Sequence, residues 1–369
     1  MVSTISSHGF NLIGYATSPI GLGEDLRTFA AMLDHLAIPF SVIDVPTDAS
    51  GRVQVAWSHM TTESYSTNIF FMSAMECQKL ATHHAYLFKA GMRHIGYFLW
   101  ELPDFPDEFV PALQLMDQIW CPTRFVQKTF FDKSRKVTLA LPLPVVQHPA
   151  TGRDFRAELG IPLKAFVSLY MFDLHSTLKR KNPHAVLRVF LEFAQHNPKA
   201  YLVLKVSRWQ NMGPKALSWL PTHPRIKLIK DTLSPNELTD LYQSANCYLS
   251  LHCSEGFGRT LVEALQNGLH VVSTDFSGPQ DFLTDKNALL VKWQPTEVGP
   301  EDYPNLNQIS WWAQPDEQHA LVQLKKAQTR AKKGRNIAGQ LDGQAFGYEA
   351  LALKYRPIFK TYIKQNTIN

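Results

Sequence analysis

Short runs of apolar residues alternate with longer amphipathic stretches through the first half of the chain. The segment FNLIGYA (10–16) predicts a buried strand, LGEDLRTFAAMLDHL (22–36) an amphipathic helix, and FSVIDV (40–45) a second strand. Together they predict a βαβ unit. Further strands are predicted within TNIFFMSA (67–74), within RHIGYFLW (93–100) and at IWCPT (119–123), the last before a helix that begins near Arg124.

The same alternation resumes in the second half of the chain. Strands are predicted at 166–172, 200–206, 225–229 and 246–252, with a helix at 182–197 between the first two. Apolar strands separated by helices are typical of a parallel sheet covered on both faces. We therefore predict a second doubly wound domain.

One helix of this second half carries its own start signal. In SPNELTDLYQSA, Ser234 is the expected N-cap, Pro235 occupies the first turn, and Glu237 completes a capping box. We interpret this helix as structural.

A proline-rich stretch divides the two halves. LALPLPVVQHPA (139–150) contains three prolines in twelve residues, which favours an extended linker. We predict an N-terminal domain over residues 1–145 and a C-terminal domain over residues 150–342. The last helix, within 346–369, has an apolar face and is expected to cross back onto the first domain.

Composition narrows the class of protein. The chain has 369 residues, 45% of them hydrophobic, a net charge of +5 and a pI near 8.9. No basic array interleaved with aromatic residues indicates a nucleic-acid partner. The four cysteines form no CxxC pair, and neither a signal peptide nor a long apolar span is evident, so we expect reduced thiols and a cytoplasmic location.

Two glutamates flank the start of one predicted helix. Glu255 follows the strand that ends near residue 252, and Glu263 lies inside the helix RTLVEALQN, about two turns along. Ligands of open α/β sheets bind at the carboxyl ends of strands, and Gly256 and Gly258 expose backbone N–H groups suited to a phosphate. The alternative is a helix cap and a solvated carboxylate. The apolar neighbours of Glu263 favour a carboxylate that accepts hydroxyl groups.

The segment SLHCSEGFGRTLVEALQNGLHVVSTDFSGPQDFL (250–283) resembles the donor-site signature of retaining nucleotide-sugar glycosyltransferases of family 4. The resemblance implies a GT-B fold, in which two Rossmann-like doubly wound domains face a central cleft. Other segments look like parts of bacterial polysaccharide and O-antigen sugar transferases, namely 14–27, 100–106, 119–126, 172–183 and 312–320.

The resemblance assigns roles around the two glutamates. Glu255 would be the catalytic residue, which binds hydroxyls of the donor sugar and stabilises positive charge near the anomeric carbon. Glu263 would accept both ribose hydroxyls. The N–H groups of Gly256, Phe257 and Gly258 would hold the diphosphate.

Five further residues are assigned to the donor by the same resemblance. Lys181 matches the phosphate-binding lysine of the family, and Lys205 ends a strand that faces the same crevice. Leu233 lies in the region that usually contacts the base. Gly21 and Gly23, in the predicted loop PIGLG, would let the backbone approach the phosphate or the acceptor from the opposite wall.

No Asp-x-Asp pair is present, so we predict metal-independent transfer with no cofactor beyond the GDP- or UDP-hexose substrate. Basic side chains must then stabilise the leaving diphosphate. Lys181 serves this role, whereas Lys179 and Arg180 are interpreted as solvated loop charges.

Two departures from the family concern the acceptor and the diphosphate. Trp100 and Glu101 stand where many relatives have a His-Glu pair, which makes Glu101 a candidate acceptor-side group. The apolar residues 170–172 replace an expected arginine. The acceptor is expected to be a glycan or lipid-linked glycan, and the first candidate donor is GDP-mannose.

Other functions stay open at this point. A nicotinamide oxidoreductase would use GLGEDL and Asp44, but Leu26 stands at the third glycine of that fingerprint. A catalytically silent nucleotide-sugar-binding protein would explain the departures above. The basic stretch KKAQTRAKKGR (325–335) is either solvated or in peripheral contact with anionic lipid at the inner face of the membrane.

Overall fold

The chain folds into two units. The computed structural model describes residues 6–47, 52–174, 176–208 and 217–363. The first unit is formed by Met1–Val146 together with Phe346–Asn369, and the second by Gln147–Ala345. The interpreted family segment 172–183 contains residue 175, which lies outside the described residues.

The elements are numbered in chain order. The strands are β1 (Phe10–Gly14), β2 (Phe40–Asp44), β3 (Thr67–Phe71), β4 (Arg93–Tyr97), β5 (Gln118–Cys121), β6 (Val137–Ala140), β7 (Phe166–Asp173), β8 (Ala200–Ser207), β9 (Ile226–Ile229), β10 (Cys247–Ser250), β11 (His270–Thr274), β12 (Ala288–Val291), β13 (Trp293–Val298) and β14 (Ser310–Pro315). The helices are α1 (Gly21–His35), α2 (Ala74–His83), α3 (Val110–Gln114), α4 (Arg124–Ser134), α5 (Phe155–Glu158), α6 (Leu178–Lys181), α7 (Pro183–His196), α8 (Pro235–Ser244), α9 (Arg259–Gln266), α10 (Glu317–Ala331), α11 (Ile337–Gln344) and α12 (Tyr348–Lys360).

The first unit is built on a six-stranded parallel sheet with the order β2-β1-β3-β4-β5-β6. Its central strands β1 and β3 are buried along their whole length, including the polar residues Asn11, Thr67 and Asn68. The predicted βαβ unit is confirmed, because β1 and β2 pair in parallel through the crossover helix α1.

The last helix belongs to the core of the first unit. Tyr355 and Phe359 of α12 are 1% and 0% exposed, and the ring of Phe359 lies 6.0 Å from Phe10, 5.6 Å from Phe29 and 6.1 Å from Trp120. The Tyr355 hydroxyl donates a hydrogen bond to the carbonyl of Pro142 at 2.8 Å. The C-terminal helix therefore completes a hydrophobic core whose other members come from the beginning of the chain.

The second unit contains a six-stranded parallel sheet with the order β12-β11-β10-β7-β8-β9. From β7 the chain builds outward through β8 and β9, and then returns to place β10 on the other side of β7. This is the doubly wound order, and its direction reverses between β7 and β10. The fold class predicted from the sequence, two parallel-sheet α/β units, is confirmed.

Helix α8 begins as its sequence predicts. The Ser234 side chain accepts a hydrogen bond from the backbone N–H of Glu237, and the Glu237 carboxylate accepts from the backbone N–H of Ser234. This reciprocal pair satisfies two N–H groups that the first turn of a helix leaves without partners.

One feature of the second unit was missed from the sequence. Strands β13 and β14 form a separate antiparallel hairpin, in which Trp293 pairs with Pro315 and Val298 with Ser310. The segment 312–320, which was noted only for its family resemblance, begins inside this hairpin and continues into α10.

We expect Phe359→Ala to destabilise the first unit by about 3–5 kcal/mol, because removing a fully buried ring leaves a cavity. Urea unfolding followed by tryptophan fluorescence would measure the loss, since Trp120 lies beside this ring. The matched control is Leu353→Ala on the same helix, a residue that is 73% exposed and should cost less than about 0.5 kcal/mol. A loss below about 1 kcal/mol for Phe359→Ala would contradict the packing described.

Candidate active site in the second unit

The reversal of strand order in the second unit brings two loops together. Residues after β7 lead into α6, and residues after β10 lead into α9. Because β7 and β10 are neighbouring parallel strands, both loops leave the same edge of the sheet. A crevice of this kind is where open α/β sheets bind ligands.

A three-residue ion cluster lies at this edge. The Glu255 carboxylate, which follows β10, accepts from Lys181 Nζ at 2.5 Å and from Arg180 Nη1 at 3.1 Å. The side chains of Glu255, Arg180 and Lys181 are 13%, 6% and 20% exposed. Two cations from one loop therefore enclose one carboxylate from the other.

The interpretation of Arg180 as a solvated charge is wrong. The short helix α6 turns Arg180 inward, where Nη1 also donates to the carbonyl of Ser254 at 3.0 Å. The Arg180 carbonyl in turn accepts from the N–H of Cys253 at 2.7 Å. Lys179 does lie at the surface, with its side chain 65% exposed and paired with Asp302.

The two cations keep Glu255 ionised. Burial by itself would raise the pKa of this carboxyl group, but Lys181 and Arg180 outweigh burial and lower its pKa to about 2. Burial lowers the pKa of the neighbouring His252 to about 4, so its imidazole is neutral near pH 7. Glu255 is thus a permanent anion at neutral pH and cannot act there as a proton donor.

The backbone after Glu255 is shaped by two unusual conformations. Gly258, the N-cap of α9, has φ +89°, and Ser277 in the adjoining loop has φ +66° and ψ −147°, a region sparsely used by residues other than glycine. Ser277 Oγ accepts from the N–H of Glu255 at 2.9 Å, and the N–H of Gly278 donates to the Glu255 carbonyl at 2.9 Å. A Cβ on Gly278 would lie 2.2 Å from the Gly256 carbonyl oxygen. The segment from Glu255 to Gly258 is therefore held from both sides, and Phe257 within it is 9% exposed.

Glu263 is oriented by a buried tyrosine. It lies slightly more than one turn into α9, which begins at Arg259, and not two turns as expected. Its Oε2 accepts from the Tyr242 hydroxyl at 2.6 Å, and Tyr242 is 2% exposed. Burial and the Glu263 carboxylate raise the pKa of Tyr242 well above the usual value, so the hydroxyl stays protonated and donates.

Tyr242 belongs to a row of three buried tyrosines below the two acids. Its ring lies 6.1 Å from that of Tyr248, which lies 6.2 Å from that of Tyr170. The Tyr170 hydroxyl donates to the Lys181 carbonyl, and the Tyr248 hydroxyl donates weakly to the Met171 carbonyl at 3.4 Å. Tyr170, at one end of the row, thus supports the cluster around Glu255, and Tyr242, at the other end, supports the Glu263 carboxylate.

The other predicted donor residues of the second unit stand apart from the ion cluster. Lys205 lies in β8, is 9% exposed and donates from Nζ to Ser207 Oγ at 2.5 Å, and burial lowers its pKa. Leu233 is 8% exposed and directly precedes the N-cap of α8. Neither residue makes a direct contact with Glu255 among the hydrogen bonds and ion pairs of the described chain.

The remaining predicted residues lie in the first unit. Gly21 and Gly23 were expected in a loop, but both are in the first turn of α1. A Cβ on Gly23 would lie 2.5 Å from the carbonyl oxygens of Ser18 and Tyr15, whereas a Cβ on Gly21 would meet open space. Only Gly23 is thus required by close backbone approach. Glu101 is half-buried in the segment after β4.

Three broader features concern metals, thiols and membranes. Within residues 6–47, 52–174, 176–208 and 217–363, no group of three or more His, Cys, Asp or Glu side chains is placed to hold a metal ion. All four cysteines are buried and free of disulfides. None of the helices in the described ranges is long and apolar enough to cross a bilayer.

Sequence reasoning missed several residues of the site. Ser277 and Tyr242 gave no sequence signal, because a serine in a loop and a tyrosine on the apolar side of a helix are ordinary features. Arg180 did offer a sequence signal, since it adjoins Lys181, the predicted phosphate-binding lysine. Its burial depends on the fold of both loops and is not readable from the charge run itself.

Comparison with known proteins identifies the class. Residues 153–294 match the family described as glycosyl transferases group 1, a segment that contains Arg180, Lys181, Glu255 and Glu263. This domain match supports an enzyme that transfers sugars. No curated protein sequence matches the chain at a significant level.

Solved structures show the same fold at low sequence identity. Sucrose-phosphate synthase from Thermosynechococcus elongatus is 15% identical with a TM-score of 0.71, over 96% of this chain and 98% of that one. HepE from Anabaena is 14% identical with a TM-score of 0.64, over 96% and 100% of the two chains. The pneumococcal O-GlcNAc transferase GtfA is 14% identical with a TM-score of 0.56, over 81% of this chain, which spans only 57% of its length. The architecture is thus GT-B.

We expect Glu255→Gln to lower the free energy of unfolding at pH 7 by about 3 kcal/mol, because Arg180 would keep a buried charge without its counter-ion. The folded-state pKa of Glu255 is about 2 and its reference value is 4.5, so its stabilisation is complete above pH 4.5 and is lost as the pH falls toward 2.

The gap in stability between the wild type and Glu255→Gln should therefore narrow as the pH falls below about 4.5. Denaturant unfolding of both proteins at a series of pH values would measure it. Glu297→Gln, which changes an exposed carboxylate of the same unit, is the matched control and should show no comparable gap. A gap that stays constant down to about pH 3 would contradict the ion cluster.

Proposed function

We propose that this protein is a retaining glycosyltransferase that moves a hexose from a nucleoside-diphosphate sugar to a glycan or lipid-linked glycan acceptor. The observation that carries the proposal is the ionised Glu255 enclosed by Arg180 and Lys181, at the strand-order reversal of the matched domain. The family 4 resemblance supports the retaining mechanism.

The charges of this cluster suit the chemistry of transfer. As the glycosidic bond breaks, negative charge grows on the leaving diphosphate and positive charge on the anomeric carbon. Lys181 and Arg180 would stabilise the diphosphate together with the N–H groups of Gly256 to Gly258. Glu255, held as an anion, would accept hydroxyls of the sugar and stabilise the positive charge. These residues supply the charge stabilisation required for the metal-independent transfer that we propose.

Glu263 would bind the ribose of the donor. Its Oε2 is already hydrogen-bonded to Tyr242, which fixes the orientation of the carboxylate before the nucleotide arrives. A preoriented carboxylate loses less side-chain freedom on binding. Lys205 and Leu233 are proposed as further contacts to phosphate and base, and Gly21, Gly23 and Glu101 as contributions of the first unit.

Two donors are the leading candidates. Resemblance to mannosyl-transferring polysaccharide enzymes favours GDP-mannose. The structural neighbours favour a uridine nucleotide, since HepE was solved with UDP-glucose and the pneumococcal transferase with UDP and GlcNAc. We therefore propose a nucleoside-diphosphate hexose and leave the choice of base to experiment.

A thermal-shift panel with UDP, GDP, ADP and their sugars would identify the donor, because a ligand of the native state raises the melting temperature. Hydrolysis of the bound donor would then separate an active transferase from a silent binding protein.

We expect Glu255→Gln to lower transfer by at least about a hundredfold, and Glu297→Gln to leave it unchanged. Full transfer by Glu255→Gln would overturn the proposed role, and binding of NAD(P)H alone would favour an oxidoreductase.

We expect Tyr242→Phe to raise KM for the donor about tenfold with little change in kcat, because the hydroxyl acts on the ribose carboxylate and not on the reacting bond. Tyr248→Phe is the matched control, since Tyr248 is also fully buried and its hydroxyl donates weakly to the Met171 carbonyl at 3.4 Å.

A nucleotide without ribose hydroxyls sharpens this test. The wild type should bind a 2′,3′-dideoxynucleoside diphosphate more weakly than the normal one, and Tyr242→Phe should lose part of that difference. If the variant keeps the whole difference, Tyr242 does not orient the ribose-binding group.

A further inference from the structure

A second charged region runs along α10 to the opposite edge of the same sheet. Residues 318–341, which include most of α10 and the start of α11, contain six lysines and arginines and no aspartate or glutamate. The six positive charges of this segment exceed the net charge of the whole chain, which is +5. This segment is therefore strongly basic.

Three lysines from separate parts of the second unit surround one cavity of about 360 Å³. Lys164 precedes β7, Lys199 precedes β8, and Lys332 follows α10, so the cavity lies at the amino ends of the strands. Phe166 and Ala331 also line this cavity. The ion cluster lies at the carboxyl ends, and the two sites are distinct.

The cavity lysines are not part of the ion-pair network of the protein. In the described portion of the chain, no carboxylate lies within salt-bridge distance of Lys164, Lys199 or Lys332, and all three are exposed. Lys325 lies on α10 seven positions, about two turns, before Lys332, the C-cap residue of this helix. Like charges are gathered with no internal counter-charge, a pattern that matches an external anion.

Exposed apolar side chains adjoin these cations. Leu163, which also lines the cavity, is 83% exposed. Its loop is rigidly presented, because Arg156 Nη1 donates to the carbonyls of Pro162, Leu163 and Ala165 at 3.2, 3.1 and 3.0 Å.

Ile337, 60% exposed, continues the apolar positions along the same edge. It closely follows Arg335, whose Nη1 donates to the carbonyl of Ala245, just before β10. Exposed leucine and isoleucine beside unpaired lysines match the boundary between lipid headgroups and acyl chains.

We propose that this edge of the second unit, defined by Leu163, Lys164, Lys199 and Lys332 and continued by α10, docks on an anionic membrane surface. Headgroup phosphates would occupy the lysine-lined cavity while Leu163 and Ile337 enter the boundary with the acyl chains. A free phosphate would make no favourable contact with the exposed apolar residues Leu163 and Ile337. A single-stranded nucleic acid would require exposed aromatic side chains for stacking, and Phe166, the aromatic residue that lines the cavity, is only 7% exposed.

Sedimentation with lipid vesicles tests the proposal on the full chain. We expect binding to vesicles of phosphatidylcholine with about one-third phosphatidylglycerol, and none to phosphatidylcholine alone. Raising the salt from about 0.1 M to about 1 M shortens the screening length from about 10 Å to about 3 Å and should release the protein.

The triple variant Lys164→Gln, Lys199→Gln, Lys332→Gln should bind anionic vesicles on the order of a hundredfold more weakly, since each lysine near such a surface contributes about fivefold. The matched control is Lys89→Gln, Lys286→Gln, Lys354→Gln, which removes the same charge from exposed positions elsewhere. Melting temperatures of both variants establish that they fold.

Three outcomes would overturn the proposal. If the two triple variants lost vesicle binding equally, the net charge of the protein and not the position of the cavity lysines would determine binding. If the cavity bound a free anion, millimolar inorganic phosphate would displace the protein from vesicles, whereas sodium chloride of equal ionic strength would not. We expect Leu163→Ser to bind anionic vesicles more weakly, with the same dependence of binding on salt as the wild type. Unchanged vesicle binding by this variant would show that Leu163 does not insert into the lipid.

Discussion

The contact on which the candidate site depends is the pairing of one buried carboxylate with two cations. Removing Glu255, Arg180 and Lys181 from water is costly, and the cost is offset only because the opposite charges lie within 3.1 Å of one another. Such an arrangement contributes little net stability compared with an apolar core of the same volume. Its value lies in holding three charges in fixed positions, which is what a site that stabilises developing charge requires.

The order of strands explains how the chain brings these charges together. Arg180 and Lys181 follow β7 and Glu255 follows β10, so the two sets are separated by several strands and helices along the chain. They meet because β10 returns to pair directly with β7. The backbone conformations of Gly258 and Ser277 then shape the loop after Glu255, and the Tyr170 hydroxyl bonds to the loop after β7 at the Lys181 carbonyl. The site is thus a product of topology first and of local sequence second.

This distinction explains what could be read from the sequence. The apolar runs of β1, β7 and β8 and the capping box of α8 are local signals, and each prediction built on them matches the structure. The pairing of Glu255 with Arg180 is not local. A run of three cations in a short loop looks solvated unless the fold of the partner loop is known, and for this reason Arg180 was misread while Lys179 was not. Tyr242 was missed for the same reason, since its role depends on where Glu263 of another helix comes to lie.

The two edges of the parallel sheet in the second unit differ in whether their cations are paired with a carboxylate. At the carboxyl edge, Arg180 is buried, Lys181 is partly buried and both are paired with Glu255, so an anion bound there would share cations that already have a partner. At the amino edge, Lys164, Lys199 and Lys332 are exposed and have no carboxylate partner in the described chain. Paired and buried charges favour selectivity for a ligand of defined shape, because only a well-fitted group can compete with the internal partner. Unpaired and exposed charges favour a broad anionic surface, whose attraction is additive over several lysines and screened by salt. One sheet can therefore carry a selective site and a surface-binding edge without either interfering with the other.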